Sequence, residues 1–174
     1  NKVNIYVCGP TVYDSAHLGH GRSAVAFDIV RRYLEFLGHE VNFVSNITDV
    51  DDKMINRANL EKISVKELAD RIIPEYEKDY SLLRVKKPSS QPKATDFINE
   101  MIELIRKLEV KEFTYKTADG IYFDISKFED YGKLSHQNLD ELNTGARVEV
   151  NENKKNPADF VLWKLKKEND ICIL

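Results

Sequence analysis

The chain has 174 residues, with 26 Lys and Arg against 29 Asp and Glu, a formal net charge of −3, and is 42% hydrophobic and 32% charged. That length holds one ordinary domain or a domain with a small companion, and the charge balance excludes a uniformly basic nucleic-acid coat, so any nucleic acid must meet a local patch. The composition, with no long uncharged apolar run, excludes a disordered chain and a membrane-spanning helix, and Cys8 and Cys172 are too few for a disulfide framework. No signal peptide opens the chain, and a reducing cytoplasm is the expected compartment.

Val3, Ile5 and Val7 alternate with Lys2, Asn4 and Tyr6, a period of two that predicts a strand running into Cys8-Gly9-Pro10. After a loop through Asp14 and Ser15, Phe27, Val30, Leu34 and Leu37 recur at helical spacing within residues 19–37, and Gly38 stands where a C-terminal cap belongs. Val41, Phe43 and Val44 predict a second strand ending at Asn46. Strand, helix, strand implies a parallel pair with a right-handed crossover, the start of a Rossmann-like α/β fold.

Asp49, Asp51 and Asp52 precede a short helical pattern in Met54, Ile55 and Ala58, where acids suit the positive end of the helix dipole. Ser64-Val65-Lys66-Glu67 spells a capping box for a helix through Leu68, Ile72, Tyr76, Tyr80 and Leu83, which Pro74 is expected to kink or split. A polar connector at 88–92 leads to Thr95, the expected cap of a helix carrying Ile98, Met101, Ile102, Ile105 and Leu108. Residues 112–116 and 121–125 flank Ala118-Asp119-Gly120 and read as a hairpin, and the polar stretch 128–156 holds one expected strand at 147–150. The first residue is Asn, and the apolar ending Ile171-Cys172-Ile173-Leu174 reads as a chain cut off inside a strand.

The densest chemical signal is Cys8-Gly9-Pro10-Thr11-Val12-Tyr13-Asp14 followed by His17-Leu18-Gly19-His20, at the junction of the first strand and first helix. Ligands gather at the carboxyl ends of parallel strands, and a helix N-terminus offers free N–H groups to an anion, phosphate above all. Gly19 lets the backbone approach a ligand, His17 and His20 can donate hydrogen bonds to phosphate oxygens as charge builds, and Arg22 can add a positive charge. A bare H-x-G-H is equally a helix cap or part of a metal pair; its place after a strand and before a helix favours nucleotide binding.

Tyr6 to Arg22 resembles the signature of the cysteinyl-tRNA synthetases, class I aminoacyl-tRNA synthetases. So do Asn46-Ile47-Thr48-Asp49-Val50-Asp51-Asp52-Lys53, Gly145-Ala146-Arg147-Val148 and Asn156-Pro157-Ala158-Asp159-Phe160-Val161-Leu162-Trp163-Lys164, in the family's order. The resemblance implies a two-step reaction in which L-cysteine and ATP, with Mg²⁺, form cysteinyl adenylate and the cysteinyl group then passes to tRNA(Cys). It implies His17 and His20 as catalytic groups at the α-phosphate, and Gly9, Thr11, Gly19 and Thr48, with both histidines, around ATP and the adenylate. It also implies that residues 1–110 are the first half of a Rossmann-like catalytic domain and 111–174 the start of a connective insertion with a small β element.

Cys8 matches the family position that ligates zinc, one ion per full-length subunit, at the base of the amino-acid pocket. A zinc ion accepts the substrate's soft sulfur and discriminates against a hydroxyl. Taken by itself, one cysteine after a strand is more often a small buried hydrophobe. The family's other zinc ligands, its Lys-Met-Ser-Lys-Ser motif and its anticodon-binding domain are absent, which implies the N-terminal part of a longer enzyme, inactive alone. Thr48 is as readily a helix N-cap as a ligand contact, the Asp49 to Asp52 acids read as helix-start residues rather than a metal site, and Trp163 reads as core. Lys154, Lys155, Lys164, Lys166 and Lys167 read as a solvated face rather than a tRNA contact, since no aromatic platform accompanies them. A monomer without a membrane partner is expected. The competing readings are the cysteine:amino-sugar-inositol ligase of mycothiol synthesis, a generic nucleotidyltransferase, and a binding module that holds zinc or RNA without catalysis.

Overall fold

Alternating branched residues build strand β1 (Lys2–Val7), and helix α1 (Leu18–Phe36) returns the chain to β2 (Glu40–Ser45), which pairs parallel to β1 with Ile5 opposite Phe43. These elements come from a computed structural model that describes residues 1–136 and 153–166, so the strand expected at 147–150 and Cys172 lie outside the described residues. The chain divides into two compact units, one over Asn1–Ile98 and one within Asn99–Lys167. No helix among the described residues is long and apolar enough to cross a membrane.

In the first unit, Gly38 takes the left-handed φ of +85° just past α1, where a side chain would be strained, as the capping pattern predicts. Parallel pairing continues beyond the strand ends: Thr48 N–H donates to the Pro10 carbonyl at 3.0 Å and Val12 N–H to the Thr48 carbonyl at 3.2 Å. The stretch read as a polar connector also lies along β2. Ser89 N–H donates to Phe43, Ile47 N–H donates to Pro92 at 2.8 Å, and Ala94 N–H donates to Ile47. Pro88 and Pro92 have no N–H to give to a ladder, so this edge is irregular and its sequence carries no strand pattern.

Helix α2 (Asp52–Glu61) is capped by Asp51, whose carboxylate accepts the Lys53 N–H at 2.8 Å, and α3 (Val65–Leu82) opens on the capping box predicted for Ser64 and Glu67. Pro74 does not split α3. Leu68, Ala69, Ile72 and Ile73 before it and Tyr76 after it are buried in one cluster with Val12, Ile47, Met54 and Ala58, and that shared core holds the helix in one piece despite the missing hydrogen bond.

Two expectations change. Thr95 caps no helix: its N–H and hydroxyl donate to the buried Asp49 carboxylate at 3.0 and 2.6 Å, so Asp49 clamps this segment to the end of β2 and is not a helix-start acid. The apolar stripe of α1 is largely uncovered, with Phe27 40% and Val30 48% exposed, and the helix's one buried residue is Asp28. The Asp28 carboxylate accepts the Lys86 N–H at 3.0 Å and the Arg32 side chain at 2.6 Å, which satisfies a charge removed from water.

In the second unit, α4 (Ile98–Val110) leads to the predicted hairpin, β3 (Thr114–Lys116) and β4 (Gly120–Phe123), with β5 (Phe160–Lys164) antiparallel on the far side of β4. Gly120 is required because a Cβ there would stand 2.4 Å from the Trp163 carbonyl oxygen. Trp163 is half-buried on β5. The Phe113, Phe123 and Phe160 rings stack in a row, and Lys155 lies with its ammonium 4.6 Å from the centre of the Tyr115 ring, so aromatic side chains do stand in the region of the basic residues. Asp159, 1% exposed, accepts the Tyr115 hydroxyl at 2.7 Å and the Asn156 and Ile125 N–H groups at 3.0 Å each. Burial and the neighbouring Asp159 push the Tyr115 hydroxyl up to about 12, so it remains a donor at neutral pH.

Asp159→Ala leaves three donors without an acceptor and is expected to cost about 3 kcal/mol or more. Asp159→Asn, which keeps one acceptor oxygen, costs less. Urea unfolding followed by Trp163 fluorescence measures both, and an alanine cost below about 0.5 kcal/mol contradicts the anchoring role.

Candidate active site

At Val7 the chain leaves β1 but stays tied to the continuation of β2, and Asn46 makes the tie. Its Oδ1 accepts the Gly9 N–H at 2.8 Å and the Tyr6 hydroxyl at 3.0 Å, while its Nδ2 donates to Thr48 Oγ1 at 3.2 Å. Gly9 lies so close that a Cβ would fall 1.6 Å from the Asn46 carbonyl oxygen, so only glycine permits this approach. Next, the fully buried Val12 sinks into the α2–α3 core and holds the loop down. Cys8 stays exposed where it lines the cavity in front of the loop, not buried as a lone cysteine after a strand more often is.

The loop ends in an imidazole cap. His17 is the N-cap of α1 and its Nδ1 accepts the Gly19 N–H at 3.0 Å; His20, three residues on, returns Nδ1 to accept the His17 N–H at 3.2 Å. This is a capping box made by two histidines in place of a hydroxyl and a carboxylate. A neutral imidazole that accepts at Nδ1 carries its proton on Nε2, so the backbone sets both tautomers and leaves each Nε2–H as a donor. A Cβ on Gly19 would lie 2.8 Å from the His17 ring, so that glycine makes room for the cap.

The two imidazole rings are 3.9 Å apart at their centres. Partial burial first, and the neighbouring His17 second, lower the pKa of His20 below its ordinary 6.5, so His20 is neutral at physiological pH. A cavity of about 780 Å³ opens in front of the pair, lined among others by Cys8, Gly9, Thr11, His17, His20 and Lys53. Most of the residues singled out from sequence therefore meet at one place. Thr48 and Gly19 do not line the cavity but brace it, Thr48 through its pairing with the 10–12 loop; Asp51, not Thr48, caps the helix that follows. Arg22 is exposed and is not among the lining residues.

Sequence reasoning missed three contributors. Asn46 gives no signal, because an amide after a strand has many uses. Lys53, whose ammonium sits 5.2 Å from the centre of the Tyr13 ring, looks like any surface lysine of α2. Tyr76 reads as one more apolar position of α3, yet it lines the cavity beside His20. Among the described residues no group of three or more His, Cys, Asp or Glu side chains is arranged to hold a metal ion.

A family model described as the tRNA synthetases class I (C) catalytic domain matches residues 1–173. The chain belongs to this family. It is 51% identical over 172 residues to a cysteine–tRNA ligase of Fusobacterium nucleatum, covering 98% of this chain and 36% of that protein. It is 50% identical over 170 residues to one of Vibrio atlanticus, covering 97% and 37%, and 52% identical over 169 residues to one of Methanococcus maripaludis, covering 97% and 36%. The chain thus spans little more than a third of the length of these relatives. The parallel β1–α1–β2 unit accords with the Rossmann-like catalytic domain of class I synthetases.

Gly9→Ala is expected to expel the 8–12 loop from its contact with Asn46; hydrogen exchange at residues 9–12 and 46–48 should speed up while α3 stays protected. The cap also depends on pH. The folded pKa of His20 is lowered, so the cap's contribution to stability is complete above 6.5 and is lost as the pH falls below that value toward the lowered one. Proton NMR should find His20 titrating below 6.5, with the His17 amide, which donates to its Nδ1, shifting in step.

Proposed function

We propose that the full-length protein carrying this chain activates L-cysteine with ATP and transfers it to tRNA(Cys). The observation that carries the reading is the imidazole cap at the start of α1, which engages Nδ1 of both histidines and leaves each Nε2–H to donate, with both residues lining the cavity that Cys8 also lines. ATP, with Mg²⁺, places its α-phosphate before these donors. A carboxylate oxygen of cysteine attacks phosphorus, the bond to the β-phosphate oxygen breaks, and pyrophosphate leaves with the electron pair. His17 and His20 stabilise the charge that builds on the α-phosphate oxygens, acting by position and electrostatics without a covalent step. The α1 N-terminus adds its dipole, and Gly9 and Thr11 form part of the wall around the adenylate, which Thr48 braces through its pairing with Thr11. A hydroxyl of the terminal adenosine of tRNA then attacks the activated carbonyl and AMP departs.

Cys8 is proposed as one zinc ligand of the full-length protein. An exposed thiol on the cavity wall suits a soft metal donor, and the remaining ligands come from outside the described residues. When bound, zinc would hold a substrate thiolate in preference to a hydroxyl. In this reading residues 1–110 supply the first half of the nucleotide-binding domain and 111–174 open a connective insertion, and the chain alone does not turn over. The change from the parallel β1–β2 pair to the antiparallel β3–β4–β5 sheet supports two distinct parts, while the compact units part after Ile98, so that α4 goes with the second.

Cysteine-dependent exchange of pyrophosphate into ATP by the full-length protein tests the reading, with serine as the control, and charging of tRNA(Cys) tests the acceptor. His20→Ala should lower kcat for exchange about 10²- to 10³-fold with the cysteine KM nearly unchanged. Exchange that does not require cysteine overturns the assignment. Cys8→Ser should strip zinc, measured by mass spectrometry of the purified protein, and with it the preference for cysteine over serine; retained zinc sinks the ligand role.

A further inference from the structure

We propose that Tyr76 is a positioning residue for His20, fixing the angle at which the His20 Nε2–H faces the cavity; the inference rests on the reaction proposed above. Tyr76 is 4% exposed in the core of the first unit, while its ring meets the His20 imidazole nearly edge-on, with centroids 5.3 Å apart and planes at 73°. Its hydroxyl lies 3.4 Å from Nδ1 and 3.5 Å from Nε2. A hydroxyl bonded to one nitrogen would stand nearer 2.8 Å from it. Two long and nearly equal distances put the oxygen against the ring as a whole.

That placement matters because the two nitrogens are already assigned. Nδ1 is engaged by the His17 N–H at 3.2 Å, and Nε2–H must stay free if it is to meet a phosphate oxygen. One hydrogen bond at Nδ1 leaves the ring able to swing about that contact. A rigid aromatic wall removes the swing without consuming Nε2–H. Tyr80 backs the wall from behind, its ring at 6.0 Å and 85° to that of Tyr76. Burial first, then the neighbouring Tyr80, Tyr13, Asp14 and Asp79, push the Tyr76 hydroxyl up to about 12, so no second charge forms beside the imidazole at working pH. The wall rises from the same α2–α3 core that holds Val12, so the loop before His17 and the side chain behind His20 share one foundation.

The test uses the full-length protein with Tyr76→Phe and Tyr76→Leu, each alone and combined with His20→Ala. Tyr76→Leu should lower kcat for pyrophosphate exchange about ten- to a hundredfold with cysteine and ATP KM values nearly unchanged, while Tyr76→Phe, which keeps the wall, restores most of the rate. In the His20→Ala background Tyr76→Leu should change kcat less than about twofold, since a residue acting through His20 has nothing left to act on. The His20 Cε1–H resonance in Tyr76→Leu should titrate closer to 6.5 than in the wild type. Equal losses in both backgrounds, or an unmoved His20 titration, overturn the proposal. Tyr76→Met replaces the leucine variant if circular dichroism shows that one unfolded. Absence of exchange in the wild-type protein fails the proposed reaction only; the titration still decides whether the Tyr76 ring packs against His20 and shields it from water.

Discussion

Everything at the candidate site depends on how the first turn of α1 is closed. A helix N-terminus has N–H groups without intrahelical partners, and here imidazole nitrogens take two of the N–H groups around that end, His17 Nδ1 from Gly19 and His20 Nδ1 from His17 itself. A serine and a glutamate would cap the helix equally well, as Ser64 and Glu67 do at α3, but there the serine hydroxyl donates its one proton to the carboxylate, which leaves no donor for an anion. Histidine can do both at once because its two nitrogens are chemically distinct. The hydrogen bond that stabilises the fold at Nδ1 is also what leaves the proton at Nε2. Fold stability and the proposed chemistry therefore rest on the same contacts.

The cap works only if it is held in place from both sides. On the loop side, Asn46 gathers Gly9, Tyr6 and Thr48 with one amide group, and the near-contact of Gly9 with the Asn46 backbone leaves no room for a side chain. Below, Val12 is the plug that ties the loop to the cluster formed by α2 and α3. The core of the first unit thus lies beneath the site and not beneath the apolar stripe of α1, which remains half exposed. Helix α1 is oriented instead through polar contacts: buried Asp28 receives the Lys86 N–H, and Arg31 and Arg32 donate to the Lys87 and Arg84 carbonyls at 2.7 and 2.8 Å. The same stretch after α3 supplies all three partners.

Where residues act through neighbours in sequence, the sequence was readable. The period-two pattern of β1, the Ser64–Glu67 capping box, the glycine after α1 and the hairpin turn are short-range signals, and each lies where the pattern put it. Where residues act through distant partners, it was not. Pro74 looks like a helix breaker until the core on both sides of it is counted, and Thr95 looks like a cap until Asp49 is seen accepting both of its donors. The 88–94 segment pairs with β2 through carbonyls and scattered amides, which leaves no periodic trace.

The sequence by itself determined the chemistry on offer: two histidines and two glycines at a strand-to-helix junction, a cysteine just before them, and a block order that points to the class I synthetase family. Those are properties of residue identity and spacing, which a linear chain carries in full. The tertiary structure decided how the groups are used. It assigned the proton to Nε2 of each histidine, gave Gly19 to the His17 ring, made Asn46 the tie between two strand ends, and set Tyr76 against His20 from a helix more than fifty positions away. Tautomer, ring angle and desolvation depend on atoms brought within a few ångströms by folding, and no spacing along the chain encodes them.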